Sequence, residues 1–347
     1  MPKRILHIIA QSSYAGVTSY TVRLVMNLPQ CSHHIIACYK GNAFKEICDM
    51  NIACDNLINK ETVSYKSLPL KYFKSILYLT KHNFDIIHYH QGGIGVLLLA
   101  CIFRKKAIVI HHLHGGNLIG DNTKQNISLL HLFLLKILSK HTYQIAVANH
   151  IYKEYEIKIK KAINIHLIKN SVPFNYKRKE SIYYSLGYIG RFTKQKGFDT
   201  FLSTTSLLRE QKPYLNIFVM GESTNLNQNE LVYLTPSFDV KQFYNKVDLI
   251  IFSSKAPEGL PLVILEAISF DVGVIVFPLK GIVEILGSDY PLLCSSDNEL
   301  ISKIEYFYSE QFNKQMLSNF HQRLVKKFDF HQMTQKLEIL YDTLSLQ

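Results

Sequence analysis

No stretch of the chain is apolar for long enough to cross a membrane as a helix. The longest near-continuous apolar run, IGVLLLACIF from Ile94 to Phe103, is about half of what a spanning helix requires. A secretory signal is not expected either. MPKRILHIIAQSS is basic first, but its apolar stretch is short and holds His7, so it predicts a buried first strand. The six cysteines include no Cys-x-x-Cys pair, and five of them lie in the first third of the chain. They are expected as small buried hydrophobes in a reducing compartment, without a structural zinc. Short repeats and low-complexity segments are absent, and with 47% hydrophobic residues disorder is not the reading for the bulk of the chain. Acidic residues are scarce in one half only. Residues 1–180 carry 24 Lys and Arg against 9 Asp and Glu, so the formal net charge of +12 belongs to the first half. That asymmetry predicts a polyanionic or anionic-lipid partner for the first half.

What is present is an alternation of strand-like and helix-like runs. RILHIIA is followed by Gly16 and the helical VTSYTVRLVMNL, and then by HHIIACY, FDIIHYH, AIVIHHLH and YQIAVAN, each with room for a helix between. The pattern predicts an α/β fold with a parallel sheet covered on both faces. A turn-forming, charged stretch, KNSVPFNYKRKESIYYS at residues 169–185, reads as an interdomain linker. A second series then runs through SLGYIGR, LNIFVMG, LVYLT, DLIIFSS and VGVIVF. Two doubly wound units are expected, residues 1–175 and 183–325, for a length of 347 residues that itself suggests about two domains. In such sheets ligands bind at the carboxyl ends of the strands, where the candidate residues of both halves fall.

In GYIGRFTKQKGFDTFL a strand ends at Gly190, Arg191 and Lys196 follow, and a helix opens near Gly197. Two cations at a helix N-terminus suit a diphosphate, and solvated loop cations are the plain alternative. The loop has neither the Walker order nor a Gly-x-Gly-x-x-Gly fingerprint. In PEGLPLVILEAISF, Glu258 and Glu266 flank an apolar run. The run predicts a helix beginning near Leu260 with Pro261 in its first turn. Glu258 then sits at the mouth of the sheet, where it could equally be a solvated loop acid. Glu266 lies about one and a half turns inside the core. A carboxylate there could accept two ribose hydroxyls, or bond a neighbouring backbone group or cation.

Together these motifs resemble the group 1 glycosyl transferases, the retaining family four with the two-domain GT-B fold. The likeness runs through YIGRFTKQKGFDTFL, FVMGES, DVKQFYNKVDLIIFSS and PEGLPLVILEA, the last holding the family's Glu-x7-Glu motif. It is looser through YAGVTSYTVRL, FDIIHYH, IVIHHLHGG and IKNSVP. The resemblance implies two Rossmann-like domains facing a cleft, the first for the acceptor and the second for a nucleoside diphosphate sugar, with residues 326–347 a helix crossing back to the first. It implies that Arg191 and Lys196 bind the donor diphosphate, that Glu266 holds the ribose, and that Glu258 lies beside the leaving group. Backbone amides of Gly259, Leu260, Pro261 and Leu262 would touch sugar and phosphate. Gly16, in the loop after the first strand, would allow close approach of acceptor and phosphates, and His114 would contact the transferred sugar.

No cofactor is implied beyond the sugar nucleotide, most commonly UDP-linked in this family. The chain has no Asp-x-Asp, so a metal-bound diphosphate is not expected. His88, His90, His111, His112 and His114 cluster. Alternation puts His112 and His114 on one face and His111 on the other, with no carboxylate close by, so no metal is assigned. Departures from the family pattern are Ala15-Gly16 in the first loop, Asp271 and Gly273 after the Glu-x7-Glu run, and LKGIVEI with Gly281 and Glu284. A lipid-linked saccharide acceptor in bacterial O-antigen or capsule synthesis is the expected partner. The basic, aromatic-bearing segments and ISLLHLFLLKILSK, Ile127 to Lys140, would dock on an anionic membrane. The expected location is the cytoplasm, peripheral on the inner face of the plasma membrane. A catalytically silent GT-B subunit is the alternative. A nucleic-acid binder suits the charge, but no nucleic-acid module appears.

Overall fold

The structure, a computed structural model, describes residues 2–61, 65–115, 129–159, 164–173, 184–222 and 231–346. Most of the expected linker therefore lies outside the described residues, as do Gly116 and the first two residues of the apolar segment beginning at Ile127. The chain divides into two compact units, Met1–Lys169 with Gln332–Gln347, and Asn170–His331.

In the first unit, strands β1 (Arg4–Gln11), β2 (Ser32–Tyr39), β3 (Cys54–Ile58), β4 (Ile86–Tyr89), β5 (Ile108–Leu113), β6 (Tyr143–Ala146) and β7 (Ile165–Leu167) form one sheet in the order β3-β2-β1-β4-β5-β6-β7. Every pairing in it is parallel. Helices α1 (Gly16–Met26), α2 (Phe44–Asp49), α3 (Leu68–Lys81), α4 (Ile94–Phe103), α5 (Leu129–Leu138) and α6 (Asn149–Ile159) connect the strands. The strands are apolar on both faces because both are covered. Leu6, Ile8, Ile36, Ile87 and Val109 pack with Val96, Leu97 and Ala100 of α4, each large side chain contributing about 1.5–3 kcal/mol by leaving water. Residues 332–345 of the last helix also belong to this unit. All six cysteines are free.

The second unit has a five-stranded parallel sheet in the order β10-β9-β8-β11-β12. Its strands are β8 (Ser185–Ile189), β9 (Asn216–Met220), β10 (Val232–Leu234), β11 (Leu249–Phe252) and β12 (Gly273–Val276). Its helices are α7 (Phe198–Gln211), α8 (Lys241–Tyr244), α9 (Leu262–Ser269), α10 (Lys280–Leu286), α11 (Glu299–Tyr308) and α12 (Lys314–Lys327), before α13 (Phe330–Ser345). Two glycines bring backbone together where a side chain could not fit. Gly197, at φ +72°, opens α7, and a Cβ there would lie 1.9 Å from the Ser253 carbonyl oxygen. A Cβ on Gly281 would lie 1.8 Å from the Gly259 oxygen, so α10 rests directly on the loop that carries Glu258.

The turn after α9 departs from the family pattern for local reasons. Asp271 takes a left-handed φ of 56°, a conformation that Asp tolerates better than most residues. Its carboxylate accepts from Nδ1 of buried His321 on α12 at 2.9 Å. Gly273 opens β12 against Phe307, whose ring a Cβ would meet at 2.6 Å.

Candidate functional site

In the second unit the mouth of β8 and the loop after β11 come together. Lys196, in a single 3-10 turn (Lys194–Lys196) ahead of α7, donates to Glu258 Oε1 at 2.5 Å, and Ser254 Oγ donates to the same oxygen at 2.6 Å. Both charged side chains are largely covered, 26% exposed for Lys196 and 13% for Glu258, so the pair is stronger than a surface salt bridge. Tyr188 orders the cationic loop. Its hydroxyl lies 2.9 Å from the carbonyl oxygen of Arg191 and 3.3 Å from that of Lys196. Burial raises the Tyr188 phenol well above its ordinary value, with the Arg191 charge opposing that rise and Glu258 adding to it. The Arg191 side chain is exposed and makes no hydrogen bond or ion pair among the described residues.

Helix α9 begins at Leu262, two residues later than expected, because Pro261 is extended (φ −67°, ψ 121°) and caps the helix from outside. The Pro261 carbonyl accepts from the Ile264 amide at 3.2 Å. Pro261 itself has no N–H, which corrects the expected run of four amide donors to those of Gly259, Leu260 and Leu262. All three residues are buried, and none of their amides donates to another described residue. Asn170, in the IKNSVP motif, fixes this loop by donating to the Leu260 carbonyl at 3.0 Å. The partner expected for Glu266 was a ligand. The structure supplies a side chain as well, since the Tyr244 hydroxyl is 3.1 Å from Glu266 Oε2 and 3.0 Å from the Val263 carbonyl oxygen. Glu266 is 5% exposed, and a buried carboxylate requires such a donor. Tyr188, Ser254 and Tyr244 were not singled out from the sequence. They lie between 3 and 22 residues from the groups they serve, without a motif of their own.

In the first unit Gly16 is not in a loop but is the first residue of α1. It is exposed, with nothing within 4 Å of the place a Cβ would take. His114 follows β5 and is half-buried. Burial, and then the charge of His111, hold its imidazole down to about 3. His112 and His114 share a face, their rings stacked at 4.2 Å and 15°, whereas His111 meets Tyr89 edge-on. The histidine group is larger than the sequence suggested, for His7 and His33 join it. Ring nitrogens of His7, His88 and His90, and of His90, His112 and His114, lie within 4.8 Å of one another. A ligated metal would sit about 2.0–2.1 Å from each nitrogen, on the lone pair in the ring plane. The rings of His88 and His90 stack at 22°, as do those of His112 and His114 at 15°. In these stacked orientations an ion in the plane of one ring lies off the plane of the other, so ligation would require the rings to turn. The nitrogens meet each other instead, by hydrogen bonding.

Comparison with known proteins agrees with this architecture. Residues 184–310 match the family Glycosyl transferases group 1. The chain is 26% identical over 307 residues to an uncharacterised 41.2 kDa protein in the cps region of Klebsiella pneumoniae, covering 80% of this chain and 82% of that one. Anabaena Alr3699/HepE, solved in complex with UDP-glucose, superposes with a TM-score of 0.79 at 17% identity over 99% of this chain and 100% of that one. A point mutant of S. aureus TarM, solved with fondaparinux, α-GlcNAc-glycerol and UDP, gives 0.76 at 12% identity over 98% and 99%. Residues 184–310, most of the second unit, are thus similar to the group 1 glycosyl transferases, and both units carry the parallel doubly wound sheets of the GT-B fold.

Proposed function

We propose that the protein moves a hexose from a UDP-linked donor to a lipid-linked saccharide during synthesis of a bacterial capsule or O-antigen. The transfer retains anomeric configuration and uses fixed cations in place of a metal ion. The observation that carries this reading is the Lys196–Glu258 pair at 2.5 Å, directly before the amides of Gly259, Leu260 and Leu262. Breaking a sugar–phosphate bond collects negative charge on the diphosphate and positive charge on the sugar. Lys196, Arg191, those amides and the N-terminus of α9 stabilise the first. A diphosphate competes with Glu258 for Lys196. When it takes the lysine, it leaves the carboxylate, still held by Ser254, to stabilise the second. Glu266 accepts from the ribose hydroxyls, His114 contacts the transferred sugar, and the open backbone at Gly16 admits phosphate or acceptor. HepE with UDP-glucose and the cps-region relative support the donor base and the pathway class.

The test is nucleotide release with UDP-hexoses and UDP-N-acetylhexosamines, offered together with lipid-linked saccharides. Glu258→Ala and Arg191→Ala should each lower turnover by about a hundredfold or more. If neither UDP nor GDP raises the melting temperature and both variants behave like the parent, the transferase reading fails.

The first unit supports the membrane part of this proposal. Leu70, Phe73 and Leu77 on α3, Ile102 on α4, and Leu129, Leu130 and Phe133 on α5 are all exposed. Lys66, Lys74, Lys136 and Lys140 lie in or beside the same segments. No helix among the described residues is long and apolar enough to cross a membrane. Co-sedimentation with vesicles containing anionic lipid should be strong at low salt and should weaken as salt rises. Equal binding to neutral vesicles would remove the electrostatic part of the proposal.

A further inference from the structure

Four imidazoles form one hydrogen-bonded row across four neighbouring strands of the first sheet. From β2 to β5 it runs His33, His7, His90 and His114, with N···N separations of 2.9, 3.0 and 2.9 Å. Ring centroids 5.1, 5.3 and 5.2 Å apart are those of imidazoles joined through their ring nitrogens. The strand register explains the path. Ile5 stands opposite His33, His7 opposite His88, and Tyr89 opposite His111. Each step therefore crosses one strand and advances two residues toward the carboxyl ends.

The row starts on a group that can only accept. His33 Nε2 lies 2.9 Å from the Leu28 carbonyl oxygen, so that nitrogen carries the proton. A neutral imidazole has one N–H, which makes His33 Nδ1 an acceptor and forces His7 Nε2 to donate to it. The same reasoning makes His90 Nε2 donate to His7 Nδ1, and His114 Nε2 donate to His90 Nδ1. Burial lowers all four imidazoles below their ordinary value, which keeps them neutral and the direction single. At the end of the row His114 Nδ1 is left bare, with no partner among the described residues.

We propose that the row fixes His114 as its Nε2–H tautomer, so that it meets the transferred sugar with a bare Nδ1 that accepts from a hydroxyl group. His33, His7 and His90 are then positioning residues, and the Leu28 carbonyl sets the direction of the row. An acceptor at this point favours a sugar hydroxyl over a phosphate or ether oxygen, which offer no proton. The sugar contact rests on the function proposed above; the tautomer does not.

The experiment is long-range 15N–1H correlation on the imidazoles of the 15N-labelled full chain, with metal analysis of the same sample. The expected spectrum has protonated Nε2 and bare Nδ1 for His7, His33, His90 and His114. A protonated His114 Nδ1, or a stoichiometric metal ion in the purified protein, would overturn the proposal. In His33→Phe the carbonyl anchor is lost, so the His114 signals should become a mixture of tautomers and kcat/KM should fall by about tenfold. His33→Gln keeps both a donor and an acceptor, and should restore the single tautomer and most of the rate. Equal spectra for the Phe and Gln variants would sink the anchoring role. If His114→Ala leaves turnover unchanged, the sugar contact is wrong, while the parent spectrum still decides the row.

Discussion

At the scale of single residues, the site is a set of charges held by neighbours that carry no charge. Ser254 and Tyr188 hold Glu258 and the cationic loop, and Tyr244 serves Glu266. Removing one hydroxyl at such a place leaves a buried group short of a donor. Tyr244→Phe should therefore lower unfolding free energy by about 1–2 kcal/mol, read as a shift in urea midpoint at unchanged slope. No shift would mean that the Tyr244 hydroxyl spends its proton on the Val263 carbonyl alone. Glu258 and Lys196 were each singled out from the sequence, in two separate motifs. Their direct pairing was not, because it joins positions 62 residues apart through the meeting of two strand ends.

At the scale of elements, the strand runs were readable because Ile and Val fill both faces of a covered parallel sheet. The start of α9 was misplaced by two residues, because a proline suits either the first turn or the cap and only ψ tells them apart. The imidazole row was hidden for a different reason. It is diagonal across the sheet, so it depends on the register of four strands at once, whereas alternation within one strand pairs only His88 with His90 and His112 with His114. The approach of α10 to the 258–259 loop is likewise a tertiary fact, marked in sequence by a lone Gly281. Gly281→Ala should push α10 off that loop, costing about 1–3 kcal/mol and displacing Glu258. Thermal unfolding and turnover should fall together, and a variant with parental values for both would show that the loop yields freely.

At the scale of the whole molecule, the buried histidines couple stability to pH. Burial lowers His7, His88, His90 and His112 well below their ordinary value, and holds His111 and His114 at about 3. The unfolded chain therefore binds protons that the folded chain refuses. Stability is complete above the unfolded value near 6.5 and is lost as pH falls from there toward the folded values, at roughly 1 kcal/mol per pH unit for each such histidine. Urea midpoints measured between pH 7 and pH 5 should drop steeply, and a flat profile would mean that these imidazoles protonate in place. The last helix, α13, has a further consequence. Tyr341 bonds His88 Nδ1 at 2.6 Å, and Met333 lies 3.7 Å from the Tyr20 hydroxyl, so the first unit uses residues encoded after the entire second unit. During vectorial synthesis the N-terminal sheet must wait, with part of its helical cover still unmade, while the second unit has all its residues first. The order of folding on the ribosome is thereby set to run against the order of the chain.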